Sequence, residues 1–157
     1  MTNTTERNGH FLQRAIDTSR TSVETGGFPV GALIVQNGTV IADGISNGKE
    51  LHDPTSHAEI AAIRAACKKL GTRSLKSTIM FSSMEPCLMC LAASSWASIP
   101  EIVYAIPRVK LNPQHFEGTH DIEQINNAMR KPILLTHARE FEAQALQVVS
   151  DWEANLL

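Results

Sequence analysis

The alternation of apolar and polar positions divides much of the chain into helices and short strands. Helical spacing of apolar residues predicts a first helix that includes residues 11–19 and is closed by Gly26-Gly27. Two apolar runs, 30–35 and 39–45, flank Asn37-Gly38, a pair typical of a two-residue hairpin turn. These runs therefore predict a β-hairpin.

The next segment predicts a helix followed by a third strand. Asp53 or Thr55 is expected to cap a helix that carries His57 and ends at Gly71. The β-prone run at 78–82 predicts the strand.

A second motif helix is expected directly after this strand. It carries Cys87 and Cys90, with Pro86 at a first helical position, where no backbone donor is needed. Ile99-Pro100 is expected to break this helix before a fourth strand at 101–105.

The last third of the chain predicts a helix near 119–129, a strand near 132–136 and a final helix at 138–153. Strands alternating with helices indicate a mixed sheet covered by helices on both faces. A length of 157 residues is usual for one domain, so we expect a single domain over 1–157.

Charge and composition restrict the class of protein. The formal net charge is −2, which gives no global basic field for a phosphate backbone. The chain contains no apolar run long enough to span a membrane, and its first residues are polar, unlike a signal sequence. Three cysteines, two of them at metal-binding spacing, favour a reducing compartment. We therefore expect a cytoplasmic protein without a disulfide framework.

His57, Cys87 and Cys90 form a candidate zinc site. A catalytic zinc site uses three protein ligands and keeps its fourth position open, whereas a structural site uses four. The two cysteines, three residues apart, share one helix face near a helix N-terminus, where the thiolate form is favoured. Zinc held in this way lowers the pKa of a bound water to near ~7.

Glu59 is interpreted as an unliganded carboxylate beside the metal, since residues two apart do not share a helix face with each other. A structural zinc site would need a fourth ligand. Cys67 lies about 15 Å along the helix from His57 at ~1.5 Å per residue, so we interpret it as a small core residue. A redox C-x-x-C is the other alternative, but it would not need the upstream H-x-E.

H-x-E at 57–59 and P-C-x-x-C at 86–90 form the signature of zinc nucleobase deaminases. With HDPTSHAEIAAIRAA and SSMEPCLMC, the chain resembles the cytidine/deoxycytidylate deaminase superfamily, in the branch of guanine, cytosine and tRNA adenosine deaminases. The resemblance implies a three-layer α/β/α fold with a mixed five-stranded sheet. It also implies hydrolytic removal of an exocyclic amine as ammonia, with Glu59 moving the protons.

The resemblance further implies a set of substrate contacts: Asn47, the backbone of Ala58 and Glu85, Phe116 in a pocket wall, and Trp152 as a lid. Two of these residues have ordinary alternatives. Asn47 is also typical of a turn beside Gly48, and Trp152 has the spacing of a helix face packed on the core. His52 and His115 are looser candidates.

Signals for the substrate conflict. Phe28-Pro29-Val30-Gly31 resembles tRNA adenosine or cytosine deaminases, Trp96-Ala97 resembles guanine deaminases, and Ile99-Pro100 resembles cytosine deaminases. No lysine or arginine follows Arg139, and an anionic tail repels a phosphate backbone.

We therefore favour a free purine base, guanine or a related aminopurine. The alternatives are a cytosine deaminase, a tRNA adenosine deaminase and a non-catalytic zinc-binding module, which would have no need of Glu59.

The resemblance also implies a homodimer whose partner borders the pocket. The residues expected at such a contact are Met84, Met89, Leu91, Trp96 and the polar segment 106–118.

Overall fold

Five strands form one sheet in the computed structural model, which describes residues 4–156. They are β1 (Gly31–Gln36), β2 (Thr39–Ile45), β3 (Ile79–Met84), β4 (Glu101–Ile106) and β5 (Leu134–His137). The order is β2-β1-β3-β4-β5, with β1 antiparallel to both neighbours and β3, β4 and β5 parallel. The mixed five-stranded sheet is thus confirmed. Residues 1–3 and 157 of the expected domain lie outside the described residues.

The hairpin has the predicted turn. Asn37 and Gly38 both have positive φ angles, of 50° and 75°. This is the backbone that a two-residue turn of the primed type requires, because its twist matches that of the flanking strands.

The described part of the chain holds six α-helices beside the sheet: α1 (Thr4–Glu24), α2 (Gly48–Leu51), α3 (Ala58–Leu70), α4 (Leu88–Trp96), α5 (Ile122–Asn127) and α6 (Glu142–Ala154). Three 3-10 helices lie at Arg108–Lys110, Pro113–His115 and Arg139–Phe141. The sequence pattern did not predict α2 or the 3-10 helices, which are too short to show periodicity. Within residues 4–156, no helix has both the length and the apolar character needed to cross a bilayer.

Two glycines show that the helices cover both faces of the sheet. A Cβ at Gly31 would overlap the backbone of α1 at Ala15, and a Cβ at Gly44 would overlap the backbone of α3 at Ala58. Gly44 pairs with Ala32, so Gly31 and Gly44 face opposite sides of the sheet. Helix α6 contacts α1 and β4, and α4 contacts α3. The three-layer α/β/α arrangement is therefore confirmed.

The centre of the core lies on β1 and β3. Leu33, Ile34, Met80 and Phe81 are at most 1% exposed. Strands covered on both faces read as apolar runs rather than alternating ones, which explains the pattern at 30–35. Strand β3 ends at Met84, and the chain then passes directly to Cys87 at the carboxyl edge of the sheet.

The predicted start of the first motif helix is wrong. Helix α3 begins at Ala58, and His57 is its N-cap, with φ −68° and ψ 162°. Asp53 forms a separate turn, because its Oδ1 accepts hydrogen bonds from the N and Oγ1 of Thr55 at 2.9 and 2.6 Å. By accepting these hydrogen bonds, the Asp53 carboxylate stabilises a turn at this position instead of a helix.

The predicted limits of the second motif helix also need correction. Cys87 is the N-cap of α4, so Pro86 precedes the helix instead of opening it. The helix ends at Trp96, before Ile99-Pro100, and Ser98 follows with a positive φ of 60°.

The last third of the chain holds the predicted elements with shifted limits. The helix expected near 119–129 is α5, which is shorter because Asp121 caps it and accepts from the backbone N of Gln124. The strand is β5. The final helix opens as the 3-10 turn Arg139–Phe141 before α6.

Candidate metal and active site

His57, Cys87 and Cys90 converge at the carboxyl end of β3, with their ligand atoms within 4.8 Å of one another. The Nδ1 of His57 lies 3.5 Å from the Sγ of Cys87 and 3.7 Å from the Sγ of Cys90. Zinc bonds of ~2.3 Å to sulfur and ~2.0 Å to nitrogen in a tetrahedron separate such atoms by about 3.6 Å. The three side chains therefore fit zinc and leave a fourth position free.

Two helix N-termini meet at this triad. His57 and Cys87 are the N-caps of α3 and α4, and both have extended backbones. Cys90 lies one turn into α4 and is fully buried. The positive ends of two helix dipoles stabilise a thiolate placed there.

The two thiols hold their proton unequally. The hydrogen bond from Cys90, aided by His57, lowers the pKa of the Cys87 thiol to about 5. The same hydrogen bond, together with burial, raises the pKa of the Cys90 thiol. Without metal, Cys87 is the thiolate and Cys90 keeps the shared proton, which a bound divalent cation displaces.

Glu59 is a buried carboxyl beside the triad and not a member of it. The side chain lies in the first turn of α3, and the residue is only 3% exposed. Its Oε2 accepts from the Sγ of Cys90 at 3.4 Å, and its Oε1 accepts from the Oγ of Ser82 at 3.5 Å. Burial raises the pKa of Glu59 to about 7. A carboxyl that exchanges its proton near neutral pH suits general acid–base chemistry.

A cavity of about 240 Å³ opens onto Glu59 and two of the triad residues, His57 and Cys87. Its polar lining consists of Ser46, His57, Glu59, Glu85, Cys87 and His115, and its apolar lining of Phe28, Val30, Met84 and Phe116. Aromatic and aliphatic walls around a few polar groups are typical of a site for a flat, small ligand.

The predicted substrate contacts divide between the cavity and its surroundings. Glu85 and Phe116 line the cavity, whereas Ala58 is fully buried at the first position of α3. Asn47 lies outside the lining, and its Oδ1 accepts from the Oγ of Ser56 at 2.6 Å. Asn47 is thus tied to the residue that precedes His57.

Trp152 lies one layer behind the cavity wall. Its ring packs edge-to-face against Phe28, at 5.0 Å between centroids, and against His115, at 5.2 Å. Both partners line the cavity, and the Nε2 of His115 donates to the Oε1 of Glu153 at 2.9 Å. The final helix α6 therefore supports the cavity wall from behind.

The remaining candidates lie elsewhere. His52 is exposed at the end of α2, in a left-handed conformation, and does not line the cavity. Cys67 is partly buried against the core and is not part of the metal-binding triad. Its interpretation as a packing residue agrees with this position.

Sequence reasoning missed Ser46 and Phe28 as cavity residues. Both lie in connections next to strands, Phe28 before β1 and Ser46 after β2. Residues in such connections follow no apolar periodicity. One signal could have found Phe28: the sequence at 28–31 resembles that of tRNA adenosine or cytosine deaminases and not that of guanine deaminases, so this segment varies with the substrate.

Comparisons with known proteins agree with this geometry. The family model for the cytidine and deoxycytidylate deaminase zinc-binding region matches residues 5–106. A guanine deaminase of Bacillus subtilis is 40% identical over 117 residues, 74% of this chain and 75% of that one. A tRNA-specific adenosine deaminase of Aquifex aeolicus is 31% identical over 142 residues, 90% of this chain and 88% of that one.

A solved structure confirms the fold over nearly the whole chain. A guanine deaminase from Nitrosomonas europaea superposes with a TM-score of 0.80, covering 98% of this chain and 86% of that one. At 23% sequence identity this likeness shows the fold alone.

Proposed function

Because this chain belongs to the cytidine and deoxycytidylate deaminase family, and is therefore a zinc-dependent hydrolytic deaminase, we propose that its substrate is a free purine base. Guanine or a related aminopurine is the preferred base. The observation that carries the proposal is the small cavity, about 240 Å³, that opens onto Glu59, His57 and Cys87. Pockets for drug-sized ligands usually measure ~300–1,000 Å³, so this one suits a single base. The 40% identity to the guanine deaminase of Bacillus subtilis supports the same choice.

The chain's own residues supply the binding and the proton transfers in this proposal. His57, Cys87 and Cys90 would hold the zinc, which would acidify water and so supply a nucleophile near neutral pH. Glu59 accepts one proton from the attacking water and passes it to a ring nitrogen of the base. It then accepts the remaining hydroxyl proton and delivers it to the exocyclic amine, which leaves as ammonia. Phe28 and Phe116 enclose the flat ring and exclude bulk water.

His115 is our candidate for reading the edge of the base. Since Glu153 accepts from Nε2, this nitrogen carries the hydrogen, and Nδ1 is the ring nitrogen left for a ligand. Packing against Phe28 and Trp152 fixes the plane of the imidazole. Asn47 is a second proposed contact, which rests on the resemblance because the residue lies outside the cavity lining. It would use the amide nitrogen that its bond to Ser56 does not use.

Transfer RNA is the second candidate substrate, favoured by the match to the tRNA-specific adenosine deaminase of Aquifex aeolicus across 90% of this chain. The charge around α6 argues for the free base instead. Beyond Arg139 the described chain carries Glu140, Glu142, Asp151 and Glu153 and no lysine or arginine. Phosphate binding depends on cationic side chains, and acidic ones oppose it.

The test is ammonia release by zinc-loaded protein from guanine, cytosine, adenine and guanosine, with inosine formation in bulk tRNA measured in parallel. We expect zinc-dependent turnover of guanine above the other substrates. Inosine in tRNA without guanine turnover would overturn the proposal in favour of RNA editing. Bound zinc with no turnover of any substrate would favour a non-catalytic zinc module.

We also propose that the protein is a homodimer. Trp96, at the end of α4, is 88% exposed in the monomer, and tryptophan is enriched at protein–protein interfaces. The prediction that Met84 and Leu91 lie at the dimer contact is wrong, because both are at most 2% exposed within the monomer. Trp96 and the partly exposed Met89 remain on α4 as candidate contacts.

A further inference from the structure

Arg108 is a buried cation with no role in the chemistry described so far. It opens the 3-10 helix after β4, and its side chain is only 8% exposed. Arginine is seldom buried unless its charge and donors are satisfied. The partners of Arg108 are therefore informative.

The guanidinium group holds the segment that forms one cavity wall. Its NH1 donates to the Oε1 of Glu117 at 3.3 Å, and its NH2 donates to the carbonyl oxygen of Gly118 at 2.8 Å. Its Cζ lies 4.3 Å from the centroid of the Phe116 ring. The backbone N of Arg108 donates to the Oε2 of Glu85 at 2.6 Å. One residue thus joins two parts of the cavity lining.

Glu117 extends this network to the metal-binding helix. Its Oε1 also accepts from the backbone N of Leu88 at 3.0 Å. Leu88 is the first residue of α4 and directly follows Cys87. A carboxylate there satisfies a donor that the helix cannot and complements the positive end of the helix.

We propose that Arg108 is a positioning residue for the zinc site and for the cavity wall. Acting through Glu117, it fixes the start of α4 and so the placement of Cys87. Acting through Phe116, it fixes the aromatic wall. The planar guanidinium of Arg108 stacks on the Phe116 ring with its face while it donates hydrogen bonds from its edge. An ammonium group cannot make both contacts at the same time.

The first test measures zinc affinity, by competition with a chromophoric chelator, and needs no substrate. We expect Arg108→Lys and Glu117→Ala each to bind zinc about 10-fold more weakly, as is usual when a group supporting a metal ligand is removed. Glu117→Gln retains an oxygen for Leu88 and should lose less. The double variant should be no weaker than Glu117→Ala alone, because both changes break one chain of contacts.

Matched controls separate positioning from general stability. Arg20→Lys changes an arginine paired with Asp17 on the exposed face of α1 and should bind zinc as the unchanged protein does. Circular dichroism and melting temperature report folding. The side chain of Glu117 is 38% exposed, so its variants should fold even if Arg108→Lys does not. Unchanged zinc affinity in Glu117→Ala, or strictly additive effects in the double variant, would overturn the proposal.

A second measurement addresses Phe116. With guanine as substrate, Arg108→Lys should raise KM more than it lowers kcat, and Phe116→Ala should do the same. This arm depends on the proposed function, whereas the zinc measurement does not. If the unchanged protein does not turn over guanine, the proposed substrate is wrong. The zinc-affinity measurement then still decides whether Arg108 is a positioning residue.

Discussion

The Sγ of Cys90 lies 3.4 Å from the Oε2 of Glu59, so a metal ligand and the buried carboxyl are in direct contact. The other carboxylate oxygen, Oε1, is held by the Oγ of Ser82 on β3 at 3.5 Å. Both oxygens of Glu59 thus have neighbours at the base of the cavity, and the carboxyl is not a member of the ligand triad. This arrangement leaves the carboxyl free to carry protons.

Glu59→Gln should retain zinc and lose activity. The triad is unchanged, but an amide cannot exchange the proton, and loss of general acid–base catalysis costs roughly 10²- to 10⁴-fold in kcat. Zinc content by atomic absorption and ammonia release from guanine check both parts. Ser82→Ala removes one long hydrogen bond to the carboxyl but leaves the carboxyl in place, so it should lower kcat far less than Glu59→Gln does. Comparable kcat in Glu59→Gln would show that another group moves the protons.

In the metal-free protein, the contribution of Glu59 to stability should fall as the pH rises from about 4.5 to about 7. Its pKa is about 7 in the folded chain against an ordinary 4.5, so the folded state binds more protons in this interval. At ~1.36 kcal/mol per pKa unit, the loss is about 3 kcal/mol.

Urea unfolding of chelator-treated protein at pH 5 and pH 8, carried out on the unchanged chain and on Glu59→Gln, measures this loss as the difference between the two proteins. Cys87 acts in the opposite direction, because its depressed pKa of about 5 adds stability as the pH rises toward 9. The difference between the unchanged protein and Glu59→Gln isolates the carboxyl, and the variant should be the more stable of the two at pH 8. Identical pH dependence of stability in both proteins would show that burial does not raise the pKa of Glu59.

His115→Ala should raise KM for guanine about 10-fold with little change in kcat, since a lost hydrogen bond costs about 1–1.5 kcal/mol. Glu153→Ala should act in the same direction, because it removes the carboxylate that orients the imidazole. Asp151→Asn is the matched control. Asp151 carries an exposed carboxylate on the same helix that bonds only to Gln147 among the described residues, so this variant should leave KM unchanged. An unchanged KM in His115→Ala would remove it from the binding site.

Asn47 and Ser56 offer a paired test of the second proposed contact. Ser56→Ala removes the hydroxyl that bonds to the Oδ1 of Asn47, whereas Asn47→Ala also removes the amide nitrogen. If the amide binds the base, Asn47→Ala should raise KM about 10-fold, and Ser56→Ala should change it much less. Equal effects in the two variants would instead show that Asn47 only holds the loop before His57.

The metal-binding part of the site could be predicted from the sequence because its information is local. His57 and Glu59 are two residues apart, Cys87 and Cys90 are three apart, and each pair stands at the start of a helix. The Asn37-Gly38 turn was equally readable, because both residues need a positive φ. Spacing along the chain suffices for features of this kind.

The cavity wall could not be predicted in the same way. Phe28, His115 and Trp152 are far apart in sequence and meet only through packing of α6 and the 106–118 segment. Arg108 gave no signal either, because its burial depends on Glu117 and Phe116 folding back over it. Burial of Met84 and Leu91 likewise reflects how the helices pack on the sheet, which apolar character alone does not specify.

Trp96→Arg should convert the proposed homodimer to a monomer. The indole is 88% exposed, and a charge at the centre of an apolar contact would be buried without a partner in a dimer. Leu51→Arg is the matched control, since Leu51 is another exposed apolar side chain, 54% accessible, and lies outside the expected contact. Sedimentation velocity should find the unchanged protein and Leu51→Arg as dimers and Trp96→Arg as a monomer. A monomeric unchanged protein would contradict the dimer itself, and a dimeric Trp96→Arg variant would place the contact on another face.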